Sequence, residues 1–229
     1  MLAKFESNIR FFMSQATVAE YRDGLSWYDD AHSIMQDIAS NSRFTAKQVA
    51  SFIAILSARN DWNKNVEYAR YFATTGKTVK PNGKSLHTAQ NVNKLLNASK
   101  ATTDDQIWRS ICKDYGKRGK SGNLVKSGLA NKTLNFYFNI LSADVNRVTV
   151  DAHAAGVCLN DFAMGYDQRG FSAIQHYEDM AQAYQNIGAE LGLAGYQVQA
   201  VTWLTYRRML AEYRKANNLG SNGQPLKTK

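Results

Sequence analysis

The amino-acid sequence predicts an all-α protein on three observations. Proline occurs only at Pro81 and Pro225, both in stretches rich in Gly, Asn and Lys, so nearly every other segment is free to run as uninterrupted helix. Apolar residues recur at i, i+3, i+4 and i+7, the spacing of one buried helical stripe. Alternating patterns are nearly absent, and VNRVTV at 145–150 is the one β-branched cluster.

The elements follow in chain order. In LSWYDDAH at 25–32, Trp27, Tyr28 and His32 stand at helical spacing and read as core, with Asp30 and His32 as alternatives lining a cleft. Val49, Phe52, Ile53 and Leu56 form the first clear stripe. GKTVKPNGKS at 76–85 reads as a loop, and residues 86–98 and 104–112 as helices. Another helix starts at Lys132. Tyr177, Met180, Ala181, Tyr184, Ile187 and Leu191 repeat the stripe over four turns, and 195–214 is a long helix with Arg207, Arg208, Arg214 and Lys215 at its end. The chain from 217 on, closing with SNGQPLKTK, reads as a flexible tail. No internal repeat is visible.

With 229 residues, 44% of them hydrophobic, the chain can build one compact domain or two small lobes. No apolar run approaches the roughly 18–20 residues that span a bilayer, so no membrane partner is expected. MLAKFESNIRFF lacks a signal-peptide core. Cys112 and Cys158 alone exclude a disulfide framework or a four-cysteine metal site, and a reducing, cytoplasmic setting fits. The net charge of +9 favours polyanionic partners. TGKT at 75–78 echoes a phosphate-binding loop, but the required glycine five residues before Gly76 is Tyr71 and no strand precedes it. The histidines at 32, 87, 153 and 176 show no zinc-site spacing, so no metal is expected.

The chemistry-bearing stretch runs from Gly116 to Asn131, GKRGKSGNLVKSGLAN, and opens into the helix at Lys132. A Gly-rich loop leading into a helix presents free N–H groups and a positive dipole end, and Lys117, Arg118, Lys120 and Lys126 add charge. That suits a nucleic-acid phosphate.

SGLANKTLNFYFNIL resembles the hairpin and second helix of the helix–hairpin–helix DNA glycosylases. Gly128, Leu129 and Ala130 match the hairpin turn, and Lys132, Thr133 and Asn135 the helix start. Nineteen residues after Lys132 comes VTVDAHAAGVCL, similar to the family's V-D-x-H segment with its catalytic aspartate. FIAILSARNDWNKNVEYARYF looks like the helix–loop–helix of the endonuclease III branch, whose loop enters DNA. The resemblance covers roughly the middle half of the chain, and its motifs come in the family's order.

The resemblance implies a two-lobed fold with a central cleft: one helical lobe at 46–148 with the hairpin near 116–141, and a second from 1–45 plus 149–216. It implies a DNA glycosylase, with AP-lyase activity, acting on a flipped damaged or modified base. Lys132 would attack C1′, which requires a neutral amine; burial against Leu134 and Phe136, its helix's positive end and nearby lysines would all disfavour the ammonium. Asp151 would stabilise oxocarbenium-like charge. Arg59, Asn60 and Trp62 would fill the gap or stack on the base, and His32, Asn65, Asn135 and His153 are pocket candidates. No cofactor is implied, and the cysteines that bind an iron–sulfur cluster in many relatives are missing.

Structural readings stand beside these. A lysine in a first helical turn is by default a solvated surface residue. Asp151 is by default an N-cap accepting N–H bonds from Ala154 or nearby, which is compatible with catalysis. His153 is more often structural than catalytic. Trp203, Arg207 and Arg208 read as core plus phosphate clamp, or as a basic amphipathic face. Ala130 replaces the hairpin's second glycine, and DVNRVTVD lacks the family's Gly/Pro-rich element. GYQVQAVTWLTYRRM looks like phage-encoded relatives, which places the protein in a host cytoplasm. Such relatives are associated with hypermodified pyrimidines, so group transfer to a base is one alternative, and a non-catalytic DNA-binding module another.

Overall fold

The computed structural model describes residues 1–58, 60–112, 132–162, 174–220 and 223–225, and these form ten helices without a β-strand. In chain order they are α1 (Leu2–Ser14), α2 (Val18–Ser40), α3 (Ala46–Leu56), α4 (Trp62–Thr75), α5 (Ala89–Lys100), α6 (Asp104–Ile111), α7 (Lys132–Ser142), α8 (Ala152–Leu159), α9 (Ile174–Leu191) and α10 (Gly195–Ala216). No described helix is long and apolar enough to cross a membrane.

Short polar side chains set the helix starts. Thr45, Asp61, Thr88, Thr103 and Asp151 each accept a backbone N–H from the first turn of the helix that follows. At Thr45 the Gln48 side chain returns the bond and closes a capping box. Thr88 explains why α5 begins at Ala89 rather than at the expected 86: His87 is turned to the Ala58 carbonyl, 2.6 Å away, and stays outside the helix.

The chain forms two compact units, Met1–Trp27 with Val145–Lys229, and Tyr28–Asp144. The first division falls at 27/28 instead of the expected 45/46 because the later part of α2 packs into the second unit. There the Tyr28 ring meets Phe136 edge-on at 6.3 Å, His32 Nδ1 lies 3.0 Å from the Ile140 carbonyl, and Asp37 pairs with Arg70 at 2.7 Å. The second division falls at 144/145 instead of 148/149.

In the first unit Ile9, Phe12, Val157, Tyr184, Val201 and Tyr206 are fully buried. Gly24 permits the early part of α2 to lie directly on α10, since a Cβ there would sit 2.5 Å from the Val201 Cα. VNRVTV forms no strand. The Tyr177 hydroxyl takes a strand partner's place, accepting the Val150 N–H and donating to the Val148 carbonyl, both at 3.0 Å. The expected free tail also begins with structure: Leu219 donates to the Arg214 carbonyl at 2.8 Å and pairs with Pro225 in an isolated bridge.

In the second unit α3 is buried on every side from Val49 to Leu56, not along one stripe, which makes it the central helix. The Phe44, Phe52 and Phe72 rings close on one another with centroids 5.0, 4.9 and 6.0 Å apart. Burying each such side chain contributes roughly 1.5–3 kcal/mol.

Candidate functional site

Asp151 lies in the first unit, where the tethered backbone of Val148 to Val150 hands over to α8. Its Oδ1 accepts the N–H groups of His153 at 3.0 Å and Ala154 at 2.9 Å, so the expected N-cap is present. Its Oδ2 accepts the indole N–H of Trp203 on α10 at 3.0 Å. His153 Nδ1 stands 3.8 Å from that oxygen, close but beyond a hydrogen bond. Three donors converge on one carboxyl group that remains 25% exposed.

The surroundings of this group are aromatic and cationic. The Arg207 guanidinium lies over the Trp203 ring at 4.5 Å. The His153 ring stands edge-on to Trp203 and to Tyr206, 5.8 Å from each. Tyr206 donates to the Asp161 carbonyl at 2.6 Å, and Phe162 stacks on it at 5.1 Å. Gly156 is required here, because a Cβ would overlap the Tyr206 hydroxyl and ring.

Lys132 lies in the second unit as the first residue of α7, half-buried. Its Nζ donates to Ser57 Oγ at 2.8 Å and lies 4.9 Å over the Phe136 ring. Ser57 is the C-cap of α3, so the amine reaches the negative end of that helix. Leu134 and Phe136 are buried as expected. The hydroxyl, the helix end and the ring face are nevertheless all partners that an ammonium takes.

The remaining candidates divide. Asn60 donates its amide to the Leu56 carbonyl at 2.8 Å and finishes α3. Trp62 opens α4, half-buried, with its ring edge-on to Phe136 at 6.5 Å. Asn65 and Asn135 are each 1% exposed, and Asn65 Oδ1 is buried without a hydrogen-bond partner among the described residues. Thr133 is half-buried in the first turn of α7. His32 is spent on the Ile140 carbonyl, and Tyr28 beside it is core. Arg59, Lys117, Arg118, Lys120, Lys126, Gly128 and Ala130, with the whole hairpin, lie outside the described residues. No group of three His, Cys, Asp or Glu that could hold a metal occurs among the described residues.

Ser57 and Tyr177 were not foreseen. A hydroxyl joined to a lysine across 75 residues leaves no local spacing to detect. Tyr177 was legible as core only. Trp203 carried a signal, an aromatic one helical turn before Arg207, but the sequence alone does not say that its N–H reaches Asp151.

The model of a family of unknown function, DUF7178, matches residues 1–210, and the chain belongs to that family. No curated protein and no solved structure matches it.

Proposed function

We propose that this member of DUF7178 is a DNA glycosylase acting on a damaged or modified base drawn out of the stack. Asp151 is the carboxylate beside the deoxyribose, and Lys132 is the amine of an accompanying lyase step. The observation that carries the reading is how Asp151 is held, by two backbone N–H groups and the Trp203 indole, with a quarter of it exposed. A carboxylate fixed in advance faces positive charge developing at C1′ with no reorganisation.

The N-glycosidic bond breaks and the base leaves with the bonding pair. A neutral Lys132 amine then bonds to C1′ and loses its protons as O4′ leaves as a hydroxyl, giving an imine. Removal of a C2′ proton from that imine expels the 3′ phosphate and nicks the strand. This chemistry draws on no cofactor, and the net charge of +9 suits a DNA partner.

One observation favours a second reading, a DNA-binding module without chemistry. The Lys132 amine is already engaged by Ser57 and Phe136. The two part on a panel of duplexes carrying damaged or modified bases, analysed by mass spectrometry of the products. Free base released by the wild type and not by Asp151→Asn supports excision. A heavier base indicates group transfer instead, and tight binding with no product on any duplex indicates the module. Borohydride trapping on abasic DNA tests the amine: Lys132→Ala that cross-links as well as wild type removes Lys132 from the reaction.

A further inference from the structure

No acidic residue stands between Glu67 and Asp104, while Arg70, Lys77, Lys80, Lys84, Lys94 and Lys100 all fall there. The middle of this span, 76–88, is a built turn and not a slack loop. The Lys80 N–H donates to the Lys84 carbonyl at 2.9 Å, Gly83 donates to the Lys80 carbonyl at 2.9 Å, and Leu86 donates to the Thr78 carbonyl at 2.8 Å. Pro81 and Asn82 form the corner, and Gly83 takes the left-handed φ of 78° that the turn requires. The Tyr71 hydroxyl ties the Val79 carbonyl to α4 at 2.9 Å, and His87 ties the far end to Ala58.

The turn brings Lys80 to Tyr68 on α4, where the one lysine of that helix, Lys64, also lies. Lys80 Nζ donates to the Tyr68 hydroxyl at 2.7 Å and lies 4.5 Å over that ring. Lys64 approaches the same ring at 5.7 Å. Lys77 and Lys84 are exposed on the turn itself. None of Lys64, Lys77, Lys80 and Lys84 makes an ion pair among the described residues, whereas Lys47, Arg70, Arg109 and Arg208 all do. Lys77, Lys80 and Lys84 stand on one ordered turn in a span without an acidic residue, and such cations repel one another until a polyanion arrives. Lys64 adds a fourth charge beside Lys80 at Tyr68, although Asp61 and Glu67 flank it in α4.

We propose that this surface, the 76–85 turn with Lys64 beside it, binds the phosphate backbone of duplex DNA separately from the Gly116–Asn131 loop. The choice of DNA rests on the reading of the chain as a DNA enzyme; the surface itself offers backbone contacts and no base readout. Lys77 and Lys84 are the residues to change, since both are exposed and their side chains make no hydrogen bond or ion pair among the described residues.

Binding of the full chain to a labelled duplex of about 20 base pairs, followed by anisotropy across a salt series, tests the proposal. Each lost phosphate contact lowers the slope of log K against log salt by about 0.9. The Lys77→Gln/Lys84→Gln protein therefore shows a slope reduced by about 1–2, and its affinity ratio between about 50 and 200 mM salt shrinks roughly tenfold. Its melting temperature should match wild type, and Lys64→Gln, on a separate element, should add a further loss. An unchanged slope in both variants overturns the proposal. So does wild type that ignores the duplex, whether or not it binds polyglutamate or phosphatidylserine vesicles. Base release at saturating protein separates this surface from Asp151: a changed slope with no release from any sample sinks the excision reading and leaves the surface standing.

Discussion

The indole N–H of Trp203 donates to Oδ2 of Asp151 at 3.0 Å, while the other oxygen of the same carboxylate is occupied by the first turn of α8. Trp203→Phe keeps an aromatic ring under Arg207 and deletes the donor alone. A hydrogen bond to a charged group is worth roughly 1.5–3 kcal/mol, and partial exposure puts this one at the low end. Base release should slow about tenfold at unchanged KM, with only a small loss of melting temperature. A variant that matches wild type in both rate and melting would show that the indole does not position the carboxylate.

Two substitutions at Asp151 separate folding from chemistry. Asn keeps an oxygen able to cap α8, whereas Ala leaves the His153 and Ala154 N–H groups without it. Asp151→Ala loses both the cap and the Trp203 acceptor and should cost about 2–3 kcal/mol in denaturant unfolding, whereas Asp151→Asn keeps the cap, loses the Trp203 acceptor and should cost about 1–2 kcal/mol. Both should lose base release to the same large extent, because neither carries a negative charge. If Asn retains activity, the residue acts only as a cap.

The contrast between Asp151 and its surroundings shows what the sequence makes legible. The N-cap role could be read because it depends on residues two and three positions away, and so could the helix starting at Lys132. The stripe at 49–56 was visible, but that α3 is buried all round was not, because Ala50, Ser51 and Ala54 give no periodic signal and are covered from other elements. The 76–85 turn reads as a loop from its Gly, Pro and Lys content. That Lys80 meets Lys64 over the Tyr68 ring depends on Tyr71 and His87 anchoring the turn, contacts that composition does not encode. The boundary at 27/28 was missed for a similar reason: α2 is one unbroken helix, and no change in its pattern marks where its partners change.

Gly24 tests the packing of the first unit. A methyl group there meets backbone of α10, the Val201 Cα at 2.5 Å and its N at 2.7 Å, and backbone does not rotate away as a side chain tip can. The better helix propensity of Ala contributes at most about 1 kcal/mol in the other direction. Gly24→Ala should therefore destabilise by roughly 1–3 kcal/mol, the usual cost of overpacking. Gly83→Ala is the comparison with open space, where only the strain of φ 78° opposes the change. Equal, near-zero effects in urea unfolding would contradict the close approach of α2 to α10.

Tyr137 sets an alkaline limit on the second unit. Burial, with a smaller contribution of the same sign from Asp104, pushes its phenol up to about 12, against a partial offset from Trp108. An unfolded chain titrates the same group near 10. The folded state thus holds the proton more tightly, so this contribution is complete below about pH 10 and is lost as pH rises through about 12. Two pH units of difference correspond to about 2–3 kcal/mol at most. Tyr137→Phe cannot ionise and should lose less stability than wild type between pH 9 and 11, at a cost of about 1 kcal/mol at neutral pH for the missing hydroxyl. Some alkaline loss should persist in the variant, because burial also raises Tyr184 in the first unit well above its ordinary value. Denaturation midpoints of the two proteins that fall in parallel over that range would show that the Tyr137 phenol is not shielded from water.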